Sequence, residues 1–207
     1  MDFFDYFQIA SLVVFLVILI GKILYLRLRR NVNPIAIGGG KKGFRLAFEL
    51  LSFGGLGVWV VELLLYAFHS RFRIFRSPLD MPLVSSPTAK LVGVIVVSLG
   101  LVVFASAYFS FGDSWRVGFD VKNPGTLVTK GIFSVSRNPI YLFLDLWFVG
   151  IFLINGTLIF LIFALLAVAA MHFQIRQEEA FLSNLYGQPY RDYCARTGRY
   201  ITVAVRG

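Results

Sequence analysis

Long apolar runs separated by short polar segments make up most of this chain. Three of these runs, at about 7–26, 46–68 and 91–111, have the roughly 20 residues that a helix needs to cross a bilayer. A fourth apolar block, 140–173, would form a helix of about 51 Å, well beyond the roughly 30 Å hydrocarbon core. Asn155-Gly156 in its middle is a turn signal. We therefore predict about five transmembrane helices, of which the last two form a short helical hairpin.

The composition supports this interpretation. Hydrophobic residues make up 57% of the 207 residues, charged residues make up 15%, and the mean hydropathy is +0.75. This is too much apolar surface for a soluble domain of this length. The apolar runs are continuous rather than alternating, which favours helices over a β-barrel. The predicted fold class is an all-α integral membrane protein with a single membrane domain.

The basic residues lie in the gaps between the apolar runs and give the chain a formal net charge of +9. This placement is typical of charge that orients a membrane protein, whereas nucleic-acid binding usually uses a basic face on a soluble domain. With the N-terminus outside, sixteen of the 20 Lys and Arg residues fall in the predicted inside segments, and Arg71, Arg73 and Arg76 are the discordant group. We predict a cytosolic C-terminus, a bacterial or archaeal cytoplasmic membrane as the location, and no nucleic-acid partner.

Three acidic residues lie within the predicted membrane helices. Asp145 is the only charged residue of the fourth apolar block, Glu62 lies in the second run, and Glu49 lies nearer the end of that run. An ionisable side chain within a span is costly and is by default a candidate for function. A structural hydrogen bond between helices is the alternative for all three, and the sequence leaves both open.

The segment after residue 112 has the most evident chemistry. Asn138-Pro139 is a helix start, in which Asn can cap and proline is tolerated at the first helical position. Arg137 is therefore expected at the membrane surface. Tyr141 and Asp145 are four residues apart and share a face of the helix that follows.

A second polar group follows the predicted hairpin. Two adjacent carboxylates, Glu178 and Glu179, stand at the predicted cytosolic end of a span, where they can serve a cationic ligand. Beyond them, tyrosines at 186, 190 and 193 have helical spacing in a short amphipathic segment. Each feature alone also fits a solvated helix end or an interfacial aromatic belt.

Taken together, these motifs resemble the isoprenylcysteine carboxyl methyltransferase and phospholipid methyltransferase group of membrane enzymes. The shared pattern, from about 112 to 200, is a Gly-Ile-Phe stretch, Arg-Asn-Pro-x-Tyr, a helical hairpin, Glu-Glu, and Tyr-Gly-x-x-Tyr-x-x-Tyr ending near an arginine. The resemblance implies three N-terminal transmembrane helices in 1–111 and a methyltransferase-like catalytic core in 112–207. This core would end in a cytosolic cofactor-binding segment.

The resemblance also implies a cofactor, an acceptor and a site. The cofactor is S-adenosylmethionine, the acceptor is an amphiphilic lipid or a prenylated small molecule, and no metal is expected. Arg137 and Glu178 are the implied catalytic residues. The implied cofactor contacts are Lys130, Gly131, Ile132, Phe133, Asn138, Pro139, Tyr141, Glu178 and Glu179, and the implied acceptor contacts are Asp145, Trp115, Tyr190 and Arg199.

One position departs from the resemblance. Much of the group has Arg-His-Pro where this chain has Asn138, and an amide cannot carry charge or shuttle a proton near neutral pH. A carboxylate acceptor needs no base, only a cation such as Arg137, whereas a protonated amine must first lose a proton. The missing histidine therefore slightly favours a prenylcysteine-type carboxylate over a phospholipid amine as the acceptor. His172 is a further candidate for proton transfer.

Two other functions stay open at this stage. A membrane reductase of the sterol-reductase type resembles the same group in its C-terminal membrane half and would use a nicotinamide cofactor. A non-catalytic membrane protein that keeps the fold is the other alternative. Cofactor binding discriminates among the three.

Overall fold

The computed structural model describes residues 1–29, 42–112 and 126–202, and these residues form helices and connecting segments without a β-strand. A single isolated bridge joins Pro82 and Thr157. In chain order the helices are α1 (Phe3–Arg29), α2 (Phe44–Ala67), α3 (Pro87–Phe111), a 3-10 turn (Gly131–Ser134), α4 (Pro139–Asn155), α5 (Leu158–Tyr186) and α6 (Gln188–Arg196). The predicted all-α membrane fold is confirmed.

Four of the described helices, α1, α2, α3 and α5, are long and apolar enough to cross a bilayer. The fifth apolar helix, α4, has 17 residues and a length of about 26 Å, slightly less than the hydrocarbon core. The number of helices that cross the membrane, about five in the sequence analysis, therefore stays a prediction.

The turn between α4 and α5 lies where the sequence predicted it. Gly156 has a φ of 67°, and its carbonyl oxygen accepts hydrogen bonds from the N–H groups of Leu83 and Val84 at 2.7 and 3.0 Å. A Cβ at this position would overlap the carbonyl of Val84, so both the left-handed backbone and the close approach require glycine.

The expectation that both arms of the hairpin are short is wrong for α5. This helix has 29 residues and continues beyond the predicted end at 173 as far as Tyr186. Neither proline nor glycine occurs between 173 and 186, so nothing in the backbone chemistry ends the helix there. It ends before Gly187, which has a φ of 61°. A helix of this length is about 44 Å long and therefore extends beyond the hydrocarbon core.

Small residues bring α3 and α4 into close contact. A Cβ on Gly93 would lie 2.6 Å from the carbonyl oxygen of Gly150, and one on Gly100 would lie 3.3 Å from the Cβ of Leu146. Such close backbone approach is a common way to pack helices in a membrane. Trp147 of α4 is fully buried against an aromatic core that includes Trp59, Phe143 and Phe15.

The antiparallel packing gives the bundle two polar ends. At one end, here called the α6 end, Lys22 of α1 donates a hydrogen bond to the carbonyl of Tyr108 near the end of α3. The first residues of α4 and the last turns of α5 lie at this same end. At the opposite end, the amide of Asn155 donates to Gln8 near the start of α1 at 2.6 Å, and Lys90 lies over the ring of Phe4.

Candidate active site

Asn138 stands immediately before α4, as the sequence predicts, but its side chain does not cap the helix. Its Nδ2 atom instead donates to Glu179 Oε1 and to the carbonyl of Arg199, both at 3.1 Å. Pro139 occupies the first turn, where it needs no hydrogen-bond partner. The expectation of a capping role for Asn138 is therefore corrected: the amide connects three segments that are distant in sequence.

Glu179 is the centre of this arrangement. Its Oε1 atom lies 3.1 Å from Arg137 Nη2, and its Oε2 atom accepts hydrogen bonds from Arg199 Nε and Nη2 at 2.9 and 2.7 Å. The Glu179 side chain is only 11% exposed and that of Arg137 12%, so the pair is largely shielded from solvent. The hydrogen bond to Glu179 raises the pKa of Arg199, which keeps the guanidinium charged. Two arginines thus share one carboxylate, which leaves the cluster net positive.

Tyr141 and Glu178 link α4 to α5 beside this cluster. The Tyr141 hydroxyl donates to Glu178 Oε2 at 2.8 Å. The two adjacent carboxylates therefore have different surroundings: Glu179 contacts arginines, and Glu178 contacts a tyrosine hydroxyl. The two carboxylates therefore differ in the charge of these partners, although they are neighbours in sequence.

The chain after α6 returns to the start of α4 and brings Arg199 to the site. The carbonyl of Gly198 accepts from the Arg137 N–H at 3.0 Å, and the Thr202 N–H donates to the carbonyl of Val135 at 2.7 Å. The Thr202 hydroxyl accepts from the Gly198 N–H at 2.9 Å. These backbone contacts fix the C-terminal segment against the residues that precede α4.

Two tyrosines fasten α6 to the 3-10 turn. Tyr190 and Tyr193 are buried against Phe133, and the Tyr193 hydroxyl donates to the carbonyl of Phe133 at 2.6 Å. Burial raises the pKa of Tyr193 to about 12, so this hydroxyl remains a donor at physiological pH. Tyr186 belongs to α5 rather than α6, because Gly187 separates the two helices.

A cavity of about 370 Å³ opens between α5 and α6 next to Glu179. Three arginines contribute to its wall, together with one carboxylate, an aromatic ring, a hydroxyl and a thiol. The lining residues are Arg176, Glu179, Ala180, Ser183, Tyr190, Arg191, Cys194 and Arg199. The cavity is therefore suited to a polar ligand that carries both anionic and cationic groups.

The structure brings together only part of the predicted site. Lys130 and Gly131 are exposed, Gly131 lies against Ser110 of α3, and Ile132 donates its N–H to the same serine at 3.4 Å. Phe133 is buried beneath α6. None of these four predicted cofactor contacts is among the residues that line the cavity. Trp115 lies outside the described residues.

Some residues around the cavity were not predicted. Arg176, Ser183 and Cys194 line it, and Gly198 and Thr202 anchor the segment that carries Arg199. Arg176, Glu179 and Ser183 follow the three- and four-residue spacing of one helix face. That spacing would have identified Arg176 and Ser183 if α5 had been predicted to continue beyond 173.

A comparison with protein families connects this geometry to a reaction class. The family model described as phospholipid methyltransferase matches residues 88–189, just under half of the chain. No curated protein matches the sequence in a direct comparison. The family match begins within α3, before the first residue of the motif pattern, and ends at the start of α6. It confirms the resemblance inferred from the motifs: residues 88–189 of this integral membrane protein match the phospholipid methyltransferase family of membrane methyltransferases.

Proposed function

We propose that the protein transfers a methyl group from S-adenosylmethionine to an amphiphilic lipid acceptor at the α6 end of the bundle. The observation that carries this proposal is the cavity between α5 and α6, because Glu179 and Arg199 line it and Glu179 also pairs with Arg137. A cofactor from the aqueous phase and an acceptor from the bilayer would both be able to reach the α6 end of the bundle.

The cavity wall fits the functional groups of the proposed cofactor. S-adenosylmethionine carries an ammonium, a carboxylate, a sulfonium and an aromatic base, and when bound it supplies an electrophilic methyl group. Arg176 and Arg191 can pair with its carboxylate, Glu179 can accept from an ammonium or a ribose hydroxyl, and Tyr190 offers an aromatic face. The excess of arginines over carboxylates favours a ligand with an anionic group.

The protein's contribution to methyl transfer is mainly positional. The ion pairs of Glu179 with Arg137 and Arg199 hold α4, α5 and the C-terminal segment in one arrangement. Fixed geometry of this kind lowers the barrier because the partners meet already oriented. Glu178 of α5, which accepts a hydrogen bond from Tyr141 of α4, is with Arg137 one of the two residues that we propose act in catalysis.

The structure changes the argument about the acceptor. Arg137 was the cation assigned to orient a carboxylate acceptor, but its Nη2 atom pairs with Glu179. Its Nε atom is enclosed and has no hydrogen-bond partner among the described residues. Glu179 therefore already engages part of the Arg137 guanidinium, and the choice between a prenylcysteine-type carboxylate and a phospholipid amine stays open.

The proposed orientation places the α6 end in the cytosol. The segments rich in Lys and Arg lie at this end in the sequence-based topology, which agrees with the positive-inside rule. S-adenosylmethionine is a charged, water-soluble molecule, so its cavity must open to the aqueous phase in which it is made.

The test is calorimetric titration of the purified protein with S-adenosylmethionine and, separately, with NADPH. We expect micromolar binding of S-adenosylmethionine alone, followed by transfer of labelled methyl into a lipid acceptor. Arg137→Ala and Glu178→Gln should abolish transfer in protein that stays folded in detergent, whereas Arg196→Ala, an exposed arginine of α6, should not.

Each other outcome supports a different function. Binding of NADPH alone would favour the reductase. Binding of neither ligand by folded protein would favour a non-catalytic role. Full activity of both Arg137→Ala and Glu178→Gln would remove the proposed site even if the cofactor binds.

A further inference from the structure

The segment 68–86, which joins α2 to α3 at the opposite end of the bundle, has no part in the proposed function. It contains Arg71, Arg73 and Arg76, the group that departs from the distribution of positive charge along the chain. Orientation in the membrane therefore does not account for these arginines. The segment also exposes several large apolar side chains, and an exposed patch of this kind marks an interaction surface.

The segment has a defined backbone, because it is bonded to the helices on either side of it. The N–H of Ile74 donates to Glu62 of α2 at 3.0 Å. The carbonyl of Met81 accepts from the N–H of Leu158, in the first turn of α5, at 3.0 Å. Backbone groups that are satisfied within the protein can lie at the apolar edge of a bilayer.

One set of side chains in the segment points into the bundle. The ring of Phe75 packs edge-on against that of Phe163 of α5, with their centroids 5.7 Å apart. Arg73 belongs to the same set: its Nη1 atom donates to the carbonyl of Leu65 at 2.9 Å, and its guanidinium lies 4.3 Å from the centroid of the Tyr66 ring. Arg73 therefore has a structural role, which distinguishes it from its two neighbours.

The other side chains of the segment form an exposed set, here called the outward surface. Arg71 and Arg76 are exposed, and neither makes a hydrogen bond or an ion pair with the rest of the described chain. Five apolar side chains, each between 41% and 60% exposed, accompany them. These are Phe68, Phe72, Ile74, Met81 and Leu83. The outward surface thus combines unpaired positive charge with apolar area.

Positive charge predominates around the outward surface. Residues 68–90 contain three arginines and one lysine against one acidic residue, Asp80. The two carboxylates at the start of α1 are engaged within the protein, because Asp5 Oδ2 lies 2.8 Å from His69 Nε2 and Asp2 Oδ1 accepts from the backbone of its own helix. The charge of the outward surface therefore favours an anionic partner.

The length of α4 indicates the depth of the outward surface in the bilayer. This helix runs from the α6 end to the opposite end over about 26 Å, so the turn at Gly156 lies near the edge of the roughly 30 Å hydrocarbon core. Leu83 and Val84 donate to the carbonyl of Gly156 and lie at the same level. At this level apolar side chains reach acyl chains, and the long side chain of an arginine reaches the phosphate layer.

We propose that the outward surface binds the headgroups of anionic phospholipids. Arg71 and Arg76 pair with the phosphate, and the exposed aromatic and aliphatic side chains lie against the upper part of the acyl chains. A guanidinium suits this partner because it can form two parallel hydrogen bonds to a phosphate. The lipids bound here anchor the protein and are not the methyl acceptor, so the inference does not depend on methyl transfer.

The experiment measures which lipid lies next to residue 72. In a Cys194→Ser background, which removes the only cysteine of the chain, Phe72→Cys carries a bimane dye that replaces the exposed ring with another apolar group. The protein is reconstituted in vesicles of phosphatidylcholine and phosphatidylglycerol, one of which is brominated and quenches the dye on contact. We expect phosphatidylglycerol to be preferred about 25-fold, since each arginine near an anionic headgroup contributes about fivefold.

Two charge variants test the role of the arginines at this position. Arg71→Gln and Arg76→Gln should each reduce the preference for phosphatidylglycerol about fivefold, and the double variant should abolish it. Arg196→Gln, which removes an exposed arginine at the α6 end, should leave the preference unchanged. High salt should reduce it in the wild-type sequence, because the interaction is electrostatic and exposed.

The matched control for the position of the dye is Tyr6→Cys in the same Cys194→Ser background. Tyr6 is exposed at the start of α1, at the same end of the bundle, in a turn that carries Asp2 and Asp5 instead of arginines. The dye there should be quenched without a preference for phosphatidylglycerol. An equal preference at both positions would show a general attraction of this end for anionic lipid and overturn the specific role of the outward surface.

The remaining outcomes also decide the matter. Equal quenching by the two lipids at residue 72, or a preference that persists in the double variant, overturns the proposal. Quenching by neither lipid overturns it as well, because the segment would then be covered by water or by a second copy of the chain. Wild-type protein that binds no S-adenosylmethionine would contradict the proposed function alone and would leave this inference standing.

Discussion

The two ends of the bundle use buried polar groups in different ways. At the opposite end, Gln8 and Asn155 pair as neutral amides, and Glu62 binds a backbone N–H. At the α6 end, one carboxylate, Glu179, is shared by two arginines beside a cavity. The polar groups of the opposite end thus hold helices and loops in place, whereas those of the α6 end are arranged around space for a ligand.

This difference shows what distinguishes a functional polar group from a structural one in a membrane bundle. Burial alone does not, because Glu62 is fully buried and the Glu179 side chain is only 11% exposed. The informative property is what the group contacts. Glu62 fixes the protein's own backbone, whereas Glu179 holds two arginines and also lies in the wall of a cavity.

The largest expected effect follows the loss of the carboxylate at the α6 end. Glu179→Gln leaves Arg137, which is 12% exposed, without its counter-charge. Removing one partner of a largely buried ion pair costs about 3 kcal/mol in the free energy of unfolding. We expect a clear fall in thermal stability in detergent and the loss of calorimetric binding of S-adenosylmethionine.

The control for Glu179→Gln is Asp5→Asn at the opposite end. Asp5 is also a buried carboxylate, and it pairs with the exposed side chain of His69. Asp5→Asn should lower the thermal stability less than Glu179→Gln and leave cofactor binding unchanged. Equal loss of binding in both variants would show that a buried carboxylate at the opposite end supports cofactor binding as much as Glu179 does.

The second effect concerns the arginines of the cavity. Arg199→Ala removes the two hydrogen bonds to Glu179 Oε2 and one charge from the cavity wall. We expect about 10-fold weaker binding of S-adenosylmethionine, equivalent to about 1.4 kcal/mol. Arg196→Ala is the matched control, because Arg196 is exposed and, among the described residues, its Nε atom bonds to the carbonyl of Asp192 at 3.2 Å. Equal weakening in the two variants would indicate a general effect of positive charge.

The fold could largely be predicted because its main signals are local. Apolar runs of sufficient length predicted the long helices, and Asn155-Gly156 predicted the turn, since the left-handed backbone there requires glycine. The length of α5 was underestimated because the change from apolar to polar residues after 173 was taken as the end of the helix. Polarity marks the membrane boundary, whereas the backbone continues until Gly187.

The candidate site was less predictable because its contacts are tertiary. Motif order indicated Arg137, Asn138 and Glu179, which the structure brings together. The pairing of Glu179 with Arg199 depends on how α6 folds back, and no local pattern contains that information. Asp145 and Glu62 had the same standing in the sequence analysis, because only the packed structure shows that Glu62 binds a backbone N–H.

A smaller effect is expected for the structural carboxylate. Glu62→Gln keeps an oxygen that can accept from the Ile74 N–H but removes the charge that strengthens this bond. We expect a loss of about 1 kcal/mol in the free energy of unfolding and unchanged methyl transfer. A large loss of activity with unchanged stability would place Glu62 among the functional residues and break the contrast with Glu179.

The smallest effect is expected at the contact between His69 and Asp5. The two side chains are 2.8 Å apart, but His69 is 64% exposed, so solvent screens the interaction. His69→Ala should lower the free energy of unfolding by about 0.5 kcal/mol at most, with unchanged cofactor affinity and methyl transfer. Thermal unfolding in detergent at low and high salt measures this, because a screened pair loses its small contribution as salt rises. A loss of methyl transfer in this variant would show that the opposite end communicates with the α6 end, in which case the separation of structural from functional polar groups would not hold.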